Sequence, residues 1–328
     1  MIKYLLWIVL LIKGFIGESQ TFKYANGAIV GNQTVISVPD RPVGYAMKQG
    51  LAYLPASYAT SVKKYPLLVF LHGAGQAGNT DITQLNGDGL PLLISQGLKP
   101  MGTDPVTGET IEWIVISPHC TDNNACSFAY PQLQYTIPYL LQNYRIDPSC
   151  VWISGLSAGG AGTWSSVMGD TVLQKLITGI IPESNGGMDN WITIASYKNN
   201  LINWAKKGGA CFYIIGSQDP GDNPDGYGAY SSLMKQYCLP GRYADSVVLG
   251  GIHDARVWNQ PWPTTARVFS KTMSVWNQMW SLRKNAPVTP PVVTPPPVVT
   301  PPPKQIPFVV RIITKFSDSS CSVIYTHP

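Results

Sequence analysis

Charge is scarce in this 328-residue chain: Asp, Glu, Lys and Arg make up 12% of it, against about 25% in an ordinary soluble domain. The formal net charge is only +5, and no basic run gathers it, which argues against nucleic acid as a partner. Histidine is nearly absent, with four residues in all. No Cys-x-x-Cys or His-x-x-x-His spacing occurs, so neither a metal nor another cofactor is expected. No uninterrupted apolar run is long enough to span a bilayer, and a stable membrane anchor is not expected. Asn, Gln, Ser, Thr, Gly and Tyr take the place of charge, in keeping with an extracellular protein.

The two ends differ from the middle. Residues 1–19 carry Lys3, an apolar stretch from Tyr4 to Ile16 interrupted by Lys13, and small residues at Gly17 and Ser19. This is the pattern of a secretory leader cleaved near Ser19 or Gln20, and it implies a secreted protein. From Ala286 to Pro303 the chain repeats Val-Val-Thr-Pro-Pro-Pro, which favours extended polyproline II and cannot build a core. A linker over 285–303 therefore separates a domain at 20–284 from a short β segment at 304–328. That segment reads as a hairpin, either docked on the domain or left from an appended module. The six cysteines are an even count, compatible with disulfides in a secreted chain; Cys120 and Cys126, flanking one loop, are the first candidate pair. Asn32-Gln33-Thr34 is an N-glycosylation sequon.

Within 20–284, apolar β-rich runs recur at 67–71, 111–117, 151–154, 177–182, 210–215 and 246–249, with helix-compatible segments between several of them. The alternation predicts the α/β class: a mostly parallel, doubly wound sheet with helices on both faces. The third of these runs leads into Gly155-Leu156-Ser157-Ala158-Gly159, and small residues continue to Trp164. A serine between glycines at a strand-to-helix turn is the nucleophile elbow of the α/β-hydrolase fold. There the serine is forced into a strained conformation, and residues two before and two after it nearly touch.

Such a serine needs a base and an acid to orient that base, and on this fold they follow in the order serine, acid, histidine. Asp219 lies just past the run 210–215, and His253 just past 246–249. His253 is the sole histidine between the serine and the C-terminal tail. Asp222 and Asp225 compete with Asp219, which lies closest to the strand end. Glu183 reads as a loop residue, and Asp254 as a solvated or capping carboxylate. Upstream, the run 67–71 opens into His72-Gly73-Ala74-Gly75-Gln76. A loop in this position supplies one backbone N–H of an oxyanion hole and the residue after the nucleophile supplies the other. The expected donors are Ala74 and Ala158, with Gly75 as the alternative to Ala74; His72 reads as structural.

The stretch Tyr144-Arg145-Ile146-Asp147-Pro148 ahead of the elbow strand, the elbow itself and Leu71-His72-Gly73-Ala74-Gly75 together resemble secreted esterases of carbohydrate esterase family one and the polyhydroxybutyrate-depolymerase-like hydrolases. The resemblance covers roughly 45–280. It implies hydrolysis of feruloyl, acetyl-xylan or related esters, with Ser157, Asp219 and His253 as the triad and a small-molecule or polysaccharide-linked ester as substrate. One departure stands out: relatives often place a tryptophan two residues after His-Asp, whereas here Trp258 follows Asp254 by four. Trp191, Trp258 and Trp262 are either platforms for a sugar or feruloyl ring or core residues. A polyester depolymerase or peptidase would use the same machinery. A non-catalytic binding or adhesion protein on a hydrolase scaffold is the reading from another class, and the proline spacer suits it.

Overall fold

Apolar residues occupy both faces of the central strands, so these strands must be covered by helices on each side. In the computed structural model they are. It describes residues 22–39, 49–121, 130–184, 191–219 and 224–284. The chain divides into two units, Met1–Pro291 and Val292–Pro328, and every described residue belongs to the first. The expected leader, proline linker and terminal hairpin lie outside the described residues, as do Cys126 and Cys321.

Nine strands form the main sheet: β1 (Ile29–Val30), β2 (Gln33–Ser37), β3 (Gln49–Tyr53), β4 (Tyr65–Leu71), β7 (Ile114–His119), β8 (Ile146–Leu156), β9 (Gly179–Glu183), β10 (Ala210–Gly216) and β11 (Tyr243–Val248). Their spatial order is β1-β2-β3-β7-β4-β8-β9-β10-β11. From β7 to β11 every neighbouring pair is parallel, whereas β1, β2 and β3 add antiparallel strands at one edge. A separate hairpin pairs β5 (Met101–Thr103) with β6 (Thr110–Glu112). The apolar run expected at 111–117 is therefore split: its first residues close that hairpin, and the main sheet resumes at Ile114. Pro66 in β4 has no N–H for the ladder, and the β4–β8 register shifts between Tyr65 and Leu67.

Among the described residues the α-helices are α1 (Gly89–Ser95), α2 (Tyr130–Asn143), α3 (Ala158–Met168), α4 (Thr171–Leu176), α5 (Ala195–Lys206), α6 (Pro224–Tyr237), α7 (Ala255–Trp258) and α8 (Val275–Ser281). Side chains alternate across the strands to fill two cores. Leu67, Val69 and Leu71 of β4 with Val151 and Ile153 of β8 pack against Ile137, Trp164, Leu201 and Met234 of α2, α3, α5 and α6. On the other face Leu68, Phe70, Trp152, Phe212 and Ile214 meet Leu90, Ile94, Val257, Trp276 and Met279 of α1, α7 and α8. Trp113, Trp152, Trp164, Trp262 and Trp276 are all fully buried, and each such side chain contributes roughly 3 kcal/mol of transfer free energy. The chain thus forms three layers: helix, sheet, helix.

Chain order and spatial order diverge at one place. From β4 the chain moves outward to β7, then returns to put β8 on the opposite side of β4. Loops leaving β4 and β8 at their C-terminal ends consequently diverge over opposite faces, and the crevice between them is the usual ligand position in such sheets.

Candidate active site

Ser157 stands at that crevice, between the end of β8 and the start of α3. Its backbone is left-handed, φ 53° and ψ −118°, a conformation that costs a non-glycine residue on the order of 1–3 kcal/mol and persists where the surroundings over-determine it. They do so here through contacts too close for side chains. A Cβ on Gly155 would lie 2.6 Å from the carbonyl carbon of Gly159, and one on Gly159 would lie 2.0 Å from the Leu71 oxygen. The Ser157 N–H donates to the Glu183 carbonyl at 2.8 Å, and the Ser157 carbonyl accepts from Ala161 N–H at 3.0 Å. The elbow is thus clamped between β4, β9 and the first turn of α3.

The fold brings Ser157, His253 and Asp219 together, although 96 residues separate the serine from the histidine. His253 Nε2 is 2.8 Å from Ser157 Oγ, and His253 Nδ1 is 2.8 and 2.9 Å from the two Asp219 carboxylate oxygens. A carboxylate only accepts, so Nδ1 carries the proton and donates to Asp219; the Nε2 lone pair then faces the serine hydroxyl. The Asp219 carboxylate is fully enclosed while the imidazole keeps 27% of its side-chain exposure. The acid and base loops are joined directly: Gln218 N–H donates to Gly251 O at 2.8 Å, Ser217 N–H to Val248 O at 2.9 Å, and Gly250 N–H to Ser217 Oγ at 2.9 Å. Of the competing acids, Asp222 lies outside the described residues and Asp225 sits in the first turn of α6. Asp254 caps α7, accepting from Arg256 N–H at 2.9 Å and pairing with the Arg256 side chain, which holds its carboxyl below the usual range.

Ala158 and Ala74 each open a helical turn, α3 and a 3₁₀ turn at Ala74–Gln76 respectively; N–H groups in that position have no partner inside the turn. The upstream loop reaches Ser157 closely, since a Cβ on Gly73 would lie 3.4 Å from Ser157 Cβ. Two buried histidines hold this loop. His72 Nδ1 donates to Gly73 O at 2.7 Å while its Nε2 accepts from Cys120 N–H at 2.9 Å. That arrangement requires a neutral ring, and burial pulls the His72 pKa down to about 4. His119, whose Nε2 is 3.1 Å from Gln76 O and whose ring lies 5.6 Å from that of His72, is also lowered by burial. Sequence reasoning passed over His119; its place at the last position of β7, beside the loop 72–76, was the available clue.

The structure corrects the reading of Glu183 and decides the open alternative for Trp262 and Trp258 in favour of packing. Glu183 is no loop residue: it ends β9, fully buried, with Oε1 2.7 Å from Ser154 Oγ. Trp262 is fully buried, edge-on to Phe70 at 6.0 Å and against Trp276 at 5.4 Å, so it has no face left for a ligand. Trp258 is 8% exposed and stands perpendicular to the His253 ring at 5.1 Å, packing against it. Trp191 is partly exposed and packs edge-on with Tyr197 at 6.0 Å. Among the described residues no group of three or more His, Cys, Asp or Glu is placed to hold a metal ion, and no helix is long and apolar enough to cross a membrane.

No family model matches the chain. A protein of Arthroderma benhamiae described as an uncharacterized secreted protein is 27% identical over 170 residues, 52% of this chain. The match spans 15% of that protein's length. Among solved structures, a thermostable esterase is similar with a TM-score of 0.48 and 18% identity, over 70% of this chain and 60% of that one. The feruloyl esterase module from Clostridium thermocellum gives 0.45 and 16%, over 80% and 94%. An acylaminoacyl peptidase gives 0.46 and 14%, over 67% and 37%. At these scores the similarity assigns no activity.

Proposed function

We propose that the chain is a secreted serine hydrolase that cleaves carboxylic esters. The observation that carries this reading is the continuous Asp219–His253–Ser157 hydrogen-bond chain ending on a serine held in a strained, left-handed conformation. A turn serine of the ordinary kind has no reason to bear that strain. A purely structural serine has no reason to face an imidazole whose other nitrogen is fixed by an enclosed carboxylate.

In this reading His253 Nε2 accepts the Ser157 proton as Oγ attacks the ester carbonyl. The imidazolium that forms is stabilised by Asp219, which stays ionised. The Ala74 and Ala158 N–H groups receive the oxyanion, each worth about 3 kcal/mol in the transition state. His253 then protonates the leaving alcohol, and water, deprotonated by the same nitrogen, releases the acid and restores the serine. No step calls for a cofactor. The substrate we infer is a feruloyl or acetyl ester on plant cell-wall polysaccharide, from the resemblance at 71–75 and 144–160.

The test is hydrolysis of p-nitrophenyl acetate by the secreted protein and by Ser157→Ala. The variant should lose roughly 10⁴- to 10⁶-fold in kcat, as removal of a triad nucleophile does. Equal rates for the two proteins would end the enzyme reading and leave the non-catalytic one. Methyl ferulate, acetylated xylan, a short polyester and a peptide anilide assayed side by side then decide the acyl group.

A further inference from the structure

Beneath the elbow lies a buried acid that the reaction does not use. Glu183 is the last residue of β9, aligned with Leu156 of β8 on one side and Ile214 of β10 on the other. Its exposure is zero. Ser154 on β8 bonds its Oε1 and the indole of Trp262 lies beside the carboxyl, while Oε2 and the indole nitrogen make no hydrogen bond among the described residues. Neither Ser154 nor Trp262 titrates in the ordinary range, and Leu156, Ile214 and Ile181 complete its surroundings on the strands. Among the described residues it makes no ion pair.

Hydrogen-bond accounting fixes its protonation state. Ser154 Oγ is 2.7 Å from Ile181 O and 2.7 Å from Glu183 Oε1. A hydroxyl has one proton, and the Ile181 carbonyl can only accept. Both contacts are hydrogen bonds only if Ser154 donates to Ile181 and the carboxyl donates to Ser154. Burial without a cation pushes the same way, raising the Glu183 pKa well above the ordinary carboxylate range. The backbone of the same residue then meets the nucleophile, since Glu183 O accepts the Ser157 N–H at 2.8 Å. Directly after it Ser184 has φ 49° and donates its N–H to Ile214 O at 3.0 Å. Two left-handed residues, Ser157 and Ser184, therefore meet at one residue, Glu183, through its backbone.

We propose that Glu183 is a positioning residue of the nucleophile: as an uncharged acid bonded to Ser154 it locks the end of β9 against β8, and through its own carbonyl it sets where Ser157 sits. It touches neither substrate nor reacting atoms and acts only through the serine. This inference rests on the hydrolase reading above, but its test need not.

Two variants and two readouts examine it. Glu183→Gln keeps a donor for Ser154 and the shape of the acid; Glu183→Leu keeps the volume and removes both polar atoms. Labelling of Ser157 by a fluorophosphonate should proceed in the Gln variant within about threefold of wild type. It should slow by roughly 10- to 100-fold in the Leu variant, the cost of a small displacement of a reacting group. With an ester the loss should fall on kcat and leave KM unchanged. The second readout is the unfolding temperature against pH. Folded wild type keeps a proton that the unfolded chain releases above its ordinary carboxylate pKa, so Glu183 makes wild type lose stability as pH rises from the ordinary carboxylate range toward the raised pKa of the folded acid. The Gln variant lacks this component, and its midpoint should gain on wild type steadily across that range. The proposal is overturned if the Gln variant labels as slowly as Leu, if Leu labels at the wild-type rate, or if the Gln and wild-type midpoints run parallel with pH. Should the Leu variant not fold, the Gln variant still decides by its labelling rate and pH trend. Should wild type neither react with the label nor cleave an ester, the hydrolase reading fails while the midpoints still report on Glu183.

Discussion

The two halves of the candidate site are built differently. The nucleophile half is made of backbone against backbone: Gly155 and Gly159 leave no space for a methyl group, and β4, β8 and β9 enclose Ser157 from three sides. The base half sits at the far edge of the sheet, where β11 is half exposed, and it is held by a set of hydrogen bonds between the loops after β10 and β11. One closely packed contact does enter this half, where a Cβ on Gly216 would lie 2.4 Å from Gly251 O. The difference fits what each half must do. A serine that attacks needs a fixed position, whereas an imidazole that takes a proton on one step and gives it back on the next needs a fixed tautomer and some room. Enclosing Asp219 while leaving the imidazole partly exposed supplies both.

The comparison breaks first at Gly159. If the nucleophile half is as tightly packed as its distances state, Gly159→Ala drives a methyl group into the Leu71 carbonyl, and backbone on both sides must move. Such overpacking costs about 3 kcal/mol, and a shift of the β4 end that carries Ala74 should cost roughly 10²-fold in kcat besides. Gly75→Ala in the same upstream loop is the control, because nothing lies within 4 Å of its Cβ position. Urea unfolding and ester turnover measured on both variants check this. Equal effects at the two positions would mean that the elbow is not close-packed.

Acid should sharpen the contrast next, because the nucleophile half depends on histidines that must stay neutral. His72 has its pKa lowered to about 4 by burial, so the folded chain binds fewer protons than the unfolded chain between about pH 6.5 and 4. Stability contributed by His72 is present above pH 6.5 and is lost as pH falls through this window, up to about 3 kcal/mol. His119 adds to the loss in the same direction. Glu183 has the opposite sign and weakens the fold as pH rises. Relative to wild type, His72→Gln should therefore start from a lower urea midpoint and lose less of it from pH 6.5 to 4. An unchanged slope in the variant would remove His72 from the account.

How much of this could be read from the chain divides along the same line. The elbow was legible because it is local: Gly155, Ser157 and Gly159 sit within five residues, after an apolar strand whose neighbours are apolar too. The sites after 210–215 and 246–249 were legible because strand ends in an α/β sheet collect functional loops. The strands β1, β2 and β3 were missed for a physical reason. They are antiparallel edge strands, and sequences such as Gln33-Thr34-Val35-Ile36-Ser37 alternate between a buried and an exposed face without forming an apolar run. Glu183 and His119 were misjudged or overlooked because their importance is tertiary. A glutamate at a strand end looks solvated until Ser154 and Trp262 close over it. Three of the buried tryptophans on the second core face, Trp113, Trp262 and Trp276, likewise show no period that separates them from ligand platforms; only the tilted packing of Trp113 and Trp262 on Trp276, at 5.5 and 5.4 Å, does.

The smallest change expected is in the base half, and it discriminates most finely. Ser217 is exposed, and its hydroxyl accepts one hydrogen bond, from Gly250 N–H at 2.9 Å, on the turn that leads to His253. Ser217→Ala removes that bond alone and leaves the two backbone bonds beside it, Ser217 N–H to Val248 O and Gln218 N–H to Gly251 O. Because water can replace the lost partner at an exposed amide, the cost should be about 1 kcal/mol or less in stability. A loop held by several such bonds should also keep His253 on Asp219 when one of them goes, so kcat/KM should fall by less than about tenfold, the equivalent of 1.4 kcal/mol. A loss as large as that of Gly159→Ala would show that the base is held as rigidly as the nucleophile. The two halves of the site would then be one device, with a single tolerance for displacement.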